Sequence, residues 1–409
     1  MDIQNGKYSI SNIDVLDICQ KYDTPLYVYD AEKIILQYNK LVNSFDVDNL
    51  KILYAVKALN NINILKLFKK IGSGLDTVSI EEVKLGLKAG FAPSDILFTP
   101  NSVSIEELEE AAHLGVHINI DNIDQLEYFG HLHPETPICI RINPHIMAGG
   151  NSNISVGHID SKFGISIHQF PLVQRLVKTL NINVVGLHMH TGSDILDVDV
   201  FLQAADILFG IAENFDNLKF IDFGSGFKVK YKPDDYETDI NLFGREISRK
   251  FNDFAKKYGK EIALAFEPGK FLVSESGYFL AKTNIIKQTT STVFACVNSG
   301  FNHLIRPMFY NAYHEIINIS NPEGMPRIYT VVGYICETDT FAWNRKISEI
   351  HPGDILAFKN AGAYGYTMSS NYNSRLRPAE ILIYEGKDYL IRERENLEDL
   401  LHNQIDIGL

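Results

Sequence analysis

The residues best equipped for chemistry recur along this chain at the ends of short apolar runs. Lys57 closes the run KILYAV and precedes a turn-prone Asn60-Asn61 pair. Lysine is rarely buried unless it is paired or used. Partly desolvated at a strand end, its amine would be a Schiff-base nucleophile; a strand-end lysine reaching solvent or an acid is the plainer alternative. Gly224, Ser225 and Gly226 follow a second apolar run. Small residues there let backbone N–H groups approach an anion, although a tight turn needs the same residues. Glu267 closes a third run and leads into Pro268, Gly269 and Lys270. A carboxylate held there suits a pyridinium nitrogen, with a salt bridge to Lys270 or Arg141 as the alternative.

His188 and His190 are two residues apart, the spacing that places both on one face of a strand. Such a pair invites a metal, but no matching histidines close the other runs, and no metal is expected. The better reading has one imidazole flat against an aromatic ligand and the other packed, with Ser193 as an extra phosphate donor. Further on, Cys336 beside Glu337 is a thiol that could hand a proton to a carbanion, or simply a small buried hydrophobe. Arg306 suits bidentate carboxylate binding, with Tyr310 and Tyr364 in similar turn-like stretches. An imine-forming lysine, a glycine-lined phosphate pocket and a carboxylate for a ring nitrogen together describe pyridoxal phosphate, whose electronics perform decarboxylation or racemisation.

The elements that must position these groups alternate. Strand-like runs at 51–57, 74–79, 96–101, 117–121, 138–143, 184–192, 220–226 and 263–269 are separated mostly by helical patterns such as 80–89, 105–114, 201–215 and 242–258. Alternation of this kind argues for a parallel sheet with helical crossovers, and eight runs suit a (β/α)8 TIM barrel. A doubly wound sheet competes, but it gathers few strand ends at its switch point, whereas a barrel gathers them all. After about residue 277 the pattern becomes all-β, with strands expected at 278–288, 293–298, 328–336, 354–359 and 379–384. The expected domains are a barrel at 26–276 and a β-sandwich or barrel-like domain from 1–25 and 277–409. The glycine-containing loop 148–153 is expected to border the site.

Bulk properties narrow the classes. At 409 residues, two domains are the prior. A formal charge of −13 argues against nucleic-acid or anionic-membrane partners. The first residues show no charged-then-apolar leader, and no run reaches spanning length. Four scattered cysteines without a CxxC pair fit a reducing cytoplasm.

With these residues assembled, the chain resembles the diaminopimelate decarboxylases, of the fold-type III pyridoxal-phosphate decarboxylases. The likeness rests on YAVKA around Lys57, SKFGI at 161–165, GLHMHTGS at 186–193, DFGSGF, EPGK, IRPMFY, CET at 336–338 and GAYG. It implies an alanine-racemase-like barrel, a β domain and a homodimer with shared sites, decarboxylating meso-diaminopimelate to L-lysine. By resemblance Lys57 carries the cofactor, His190 stacks on its ring and Glu267 meets its nitrogen. Ser193, Gly224 to Gly226 and Glu267 to Lys270 surround it. Arg306, Tyr310, Glu337 and Tyr364 contact substrate or cofactor, and Cys336 donates a proton across the dimer. Two positions depart from the pattern: Lys270 replaces the arginine of EPGR, and Ser225 the middle residue of GGG. Decarboxylases of ornithine, arginine or carboxynorspermidine share the chemistry. A non-catalytic cofactor carrier and a metal-dependent barrel hydrolase compete from different functional classes.

Overall fold

A computed structural model describes every residue except 5, 147–160 and 193–195. The loop 148–153 and Ser193 therefore lie outside the described residues. The chain divides into two compact bodies, one of residues 37–230 and 236–271, the other of 1–36, 231–235 and 272–409.

The first body is a closed parallel barrel. Its strands are β1 (Leu50–Ala55), β2 (Gly74–Thr77), β3 (Ile96–Phe98), β4 (His117–Ile120), β5 (Ile138–Asn143), β6 (Val184–His188), β7 (Phe220–Asp222) and β8 (Ala263–Phe266). Each pairs in parallel with the next, and β8 returns to β1. All eight expected runs form, and each strand stops at least a residue short of its run except β5. The trimmed ends include Lys57, Asn101, Asp121, Gly224 and Glu267, residue types depleted in strands. Crossover helices start on side-chain caps: Ser79 and Ser104 accept from backbone N–H groups three residues on, and Gly90 and Gly115 end those helices in the left-handed region. Inside the barrel, odd-numbered strands contribute Leu53, Leu97, Cys139 and Phe220 to one buried cluster, the pattern of a filled layer. Gly186 on β6 makes room for it. A Cβ there would sit 2.3 Å from the Phe220 ring.

The second body is built on a nine-stranded sheet. Its main path runs Thr340–Ser348, Pro326–Val332, Val293–Val297, Gly277–Gln288, Leu26–Asp30, Ala379–Tyr384 and Lys387–Arg392, while Ile316–Asn318 and Ile355–Phe358 pair off this path. The boundary expected at residue 26 therefore moves. Leu26–Asp30 is a central strand here, parallel to Ala379–Tyr384 and antiparallel to Gly277–Gln288, with Leu26 to Tyr29 all buried. Residues 231–235 also belong to this body. The helix Val15–Tyr22 packs Val15, Ile18 and Cys19 onto the same core as Leu26, Val28 and Leu280. Among the described residues no helix is long and apolar enough to cross a membrane.

The strand expected to run to residue 336 ends instead at Val332. The chain then turns around Asp339, whose carboxylate accepts from Phe301 N at 2.8 Å and Ile335 N at 2.9 Å. Cys336 and Glu337 ride on this turn and not on a strand.

The packing inside the barrel yields a test. Gly186→Ala forces the Phe220 ring to move and should destabilise the protein by roughly 1–3 kcal/mol. Adding Phe220→Leu should recover part of that loss in urea unfolding, whereas additive losses would contradict this packing.

Candidate active site

Lys57 sits in a single 3-10 turn, Val56–Ala58, that leaves β1. The turn is braced by the segment after β8: Ala55 N donates to Pro268 O at 3.3 Å, and a Cβ on Gly269 would lie 3.1 Å from the Cβ atoms of Ala55 and Ala58. The Lys57 side chain is 42% exposed, and its Nζ is 2.8 Å from Oδ2 of Asp76, whose side chain is fully buried. The expected desolvated amine is thus an ion-paired one instead. The other oxygen of Asp76 accepts a short hydrogen bond from the Thr99 hydroxyl. Burial, then the nearby Glu267, pushes the Asp76 carboxyl up, while Lys57 pulls it back.

Glu267 follows β8 and is buried. Its partner is neither Lys270 nor Arg141: His188 Nε2 lies 3.1 Å from Oε2, and Oε1 is buried without a partner among the described residues. Burial raises the Glu267 carboxyl, opposed by the charges of Lys57 and Arg141. Asp222, the last residue of β7, is also fully buried, and burial with Glu267 as a like-charged neighbour pushes it well above the ordinary carboxyl range. Burial with Arg141 nearby pushes His188 well below the usual imidazole range, so it is neutral.

His188, Asp222 and Glu267 offer ligand atoms within 4.8 Å of one another, a grouping that sequence reasoning missed because Asp222 reads there as part of a strand. The signal for it is an acid two residues before the glycine turn.

His190 lies beyond the end of β6, half-buried, and is also held well below the imidazole range by burial and Arg141. Ser225 N donates to its Nδ1 at 3.2 Å, which leaves the proton of the neutral ring on Nε2. Gly224 N donates to Asp222 Oδ1 at 2.8 Å, and Gly224 O accepts from Glu267 N at 2.7 Å. Gly224 has φ +62, and a Cβ there would lie 2.5 Å from His190 Nδ1, so only glycine fits. Two of the three N–H groups expected to cradle phosphate are therefore committed to protein acceptors.

The remaining expected residues lie on the second body. Arg306 and Tyr310 bound a short helix, Arg306–Tyr310, where a turn was expected. The Arg306 guanidinium lies 5.5 Å from the ring centre of Tyr231, 5.7 Å from Tyr310 and 5.9 Å from Tyr364. Tyr364 is held at φ +57, an uncommon conformation for a bulky residue and one that clusters at functional sites. Cys336 is exposed, so it is no core hydrophobe. Asn373 Nδ2 donates to its Sγ at 3.1 Å, and the Tyr372 hydroxyl donates a short hydrogen bond to Glu337. Nothing in the sequence pattern points to Tyr231, Tyr372 or Asn373.

Residues 31–274 match the family described as pyridoxal-dependent decarboxylase, pyridoxal binding domain. The diaminopimelate decarboxylase of Methanothermobacter thermautotrophicus is 39% identical over 98% of this chain and 96% of its own. The chain belongs to the diaminopimelate decarboxylase family. The Aquifex aeolicus member is 33% identical over 100% of this chain and 98% of its own. A crystal structure of the M. jannaschii diaminopimelate decarboxylase in complex with L-lysine superposes with a TM-score of 0.91 at 29% identity, covering 99% of this chain and 97% of that one.

Pyridoxal phosphate is the cofactor of this family, and the barrel residues fit it. A buried carboxyl that binds protons strongly, with one oxygen unpartnered, suits a protonated ring nitrogen. Lys57 supplies an exposed amine on a braced turn. Pro268 and Gly269 act on that turn through the backbone.

The like-charged pair predicts a pH signature. Asp222 holds its proton more tightly folded than unfolded, so its contribution to stability falls as pH rises above the unfolded carboxyl value of about 4. Asp222→Asn keeps the acceptor for Gly224 N and removes the charge. In cofactor-free protein, the variant should resist urea better than wild type at pH 8, with the gap closing towards pH 4. Parallel stability curves would contradict the assignment.

Proposed function

We propose that this protein decarboxylates the D-configured centre of meso-2,6-diaminopimelate to give L-lysine and CO2, the last step of lysine biosynthesis. The observation that carries the reading is the unpartnered, buried Oε1 of Glu267 in the same barrel cluster as the Lys57 amine. Its substrate follows from the names of the full-length relatives. When bound, pyridoxal phosphate supplies the electron sink that accepts the pair left behind as CO2 departs.

Lys57 would hold the cofactor covalently, and Asp76, 2.8 Å away, pairs with that amine when it is free. Glu267 would pair with the ring nitrogen and keep it protonated, and His188 Nε2, 3.1 Å from Oε2, holds Glu267 in place. His190, whose Nδ1 accepts from Ser225 N, would stack on the cofactor ring. Gly226 N–H and the hydroxyls of Ser225 and Ser193 serve the phosphate, bordered by Gly224, Pro268, Gly269 and Lys270. Lys270 keeps the positive charge of the family's arginine without its planar fork. On the second body Arg306 takes the distal carboxylate and Glu337 the distal ammonium, with Tyr310 and Tyr364 alongside. Cys336 protonates Cα. The protein works as a cytoplasmic homodimer in which Cys336 serves the partner's barrel, with no nucleic-acid or membrane partner.

The test is CO2 release from meso-diaminopimelate, ornithine, arginine and carboxynorspermidine, with L-lysine quantified. Preference for diaminopimelate by at least about a hundredfold in kcat/KM is expected, since a site built for a distal polar end rejects analogues lacking it. Equal turnover of ornithine would contradict the reading. Cys336→Ala should lower kcat by about 10²–10⁴ while the bound-cofactor spectrum stays unchanged. Wild-type turnover in that variant would remove Cys336 from the mechanism.

A further inference from the structure

Arg306 is half-buried and walled by three tyrosine rings, yet among the described residues it makes no ion pair. Rings within about 6 Å attract a guanidinium, but none of them neutralises it. His314, fully buried beside the same cluster, does not help. Its Nδ1 lies 2.8 Å from Lys359 O and so carries the proton, and burial with Arg306 nearby pushes the imidazole down to about 3. It is neutral, with its lone pair on Nε2. The Tyr231 ring stands edge-on to it, centres 5.6 Å apart.

Two donors in this cluster are unsatisfied. Arg306 Nε and the Tyr231 hydroxyl are both buried with no hydrogen-bond partner among the described residues. Buried donors without partners are rare and call for an explanation such as a ligand. A carboxylate answers both needs at once, since it supplies the missing charge and accepts from both groups. An ammonium or a neutral amide does not.

Tyr231 arrives in this cluster by an unusual route. Residues 231–235 leave the barrel sequence a few positions after Gly226 and belong to the second body. Tyr231 N donates to Asp235 Oδ2 at 3.3 Å, closing that excursion into a local turn.

We propose that Tyr231 determines specificity: its ring walls in the Arg306 guanidinium, and its hydroxyl is a second donor to the carboxylate that Arg306 receives. This rests on the reading of Arg306 as the receptor for the distal end of the substrate. It adds a residue from the chain of the barrel's seventh βα segment to a subsite otherwise made by the β body.

The experiment measures binding of L-lysine and of 1,5-diaminopentane, the same chain without its carboxylate, to the cofactor-loaded enzyme by calorimetry. Wild type should prefer lysine. Tyr231→Phe keeps the ring and loses the donor, so lysine affinity should fall about tenfold, the cost of one hydrogen bond to a charged group. Affinity for 1,5-diaminopentane should not change, and KM for diaminopimelate should rise more than kcat falls. A lysine to 1,5-diaminopentane ratio equal to wild type would overturn the proposal, as would equal losses for both ligands. If wild type itself shows no preference for lysine, the Arg306 reading fails first and takes this inference with it.

Discussion

Asp76 is a carboxylate taken entirely out of water and compensated by one amine at 2.8 Å. An isolated buried charge is too costly to persist, so this pair constrains everything around it. Lys57 cannot swing freely into solvent without leaving Asp76 exposed to Glu267, which already pushes its proton affinity upward. The amine is therefore kept at one place, on the turn that leaves β1. Thr99 on the neighbouring strand end holds the other carboxylate oxygen, so the anchor itself is fixed.

The same excess of negative charge shapes the rest of the barrel site. Asp76, Asp222 and Glu267 are all buried, against Lys57 and Arg141 as counter-charges. A region short of positive charge binds protons tightly and welcomes a cationic ring nitrogen, which is the electronic requirement of the cofactor. It is a poor place for a phosphate unless backbone and hydroxyl donors hold one. Part of the glycine turn is diverted from that task, because Gly224 N and Ser225 N hold Asp222 and His190 in place. The β body shows the opposite imbalance: among the described residues Arg306 is an arginine without an acid, surrounded by rings that orient it but leave its charge unmet.

Much of this is legible in the sequence. The eight barrel strands are visible because each is a short apolar run ended by a polar residue, and parallel strands buried on both faces leave just that trace. Lys57, His190, Glu267 and the glycine turn stand out because they end those runs. What the sequence hides depends on contacts between distant residues. Leu26–Asp30 looks like the start of the barrel, since nothing local reveals that its hydrogen bonds go to residues some 250 and 350 positions later. Asp222 reads as part of a strand, because its burial beside Glu267 is a tertiary fact. Cys336 seems to end a strand, whereas the carboxylate of Asp339 folds that segment into a turn. Tyr231 carries no motif at all.

The central claim is that Lys57 is the one amine that binds pyridoxal phosphate covalently. Borohydride reduction of the cofactor-loaded enzyme, followed by proteolysis and peptide mass mapping, tests it most directly. A pyridoxyl-phosphate adduct confined to the peptide containing Lys57 is the predicted result. An adduct on any other lysine, or none in protein carrying a full complement of cofactor, would contradict the account.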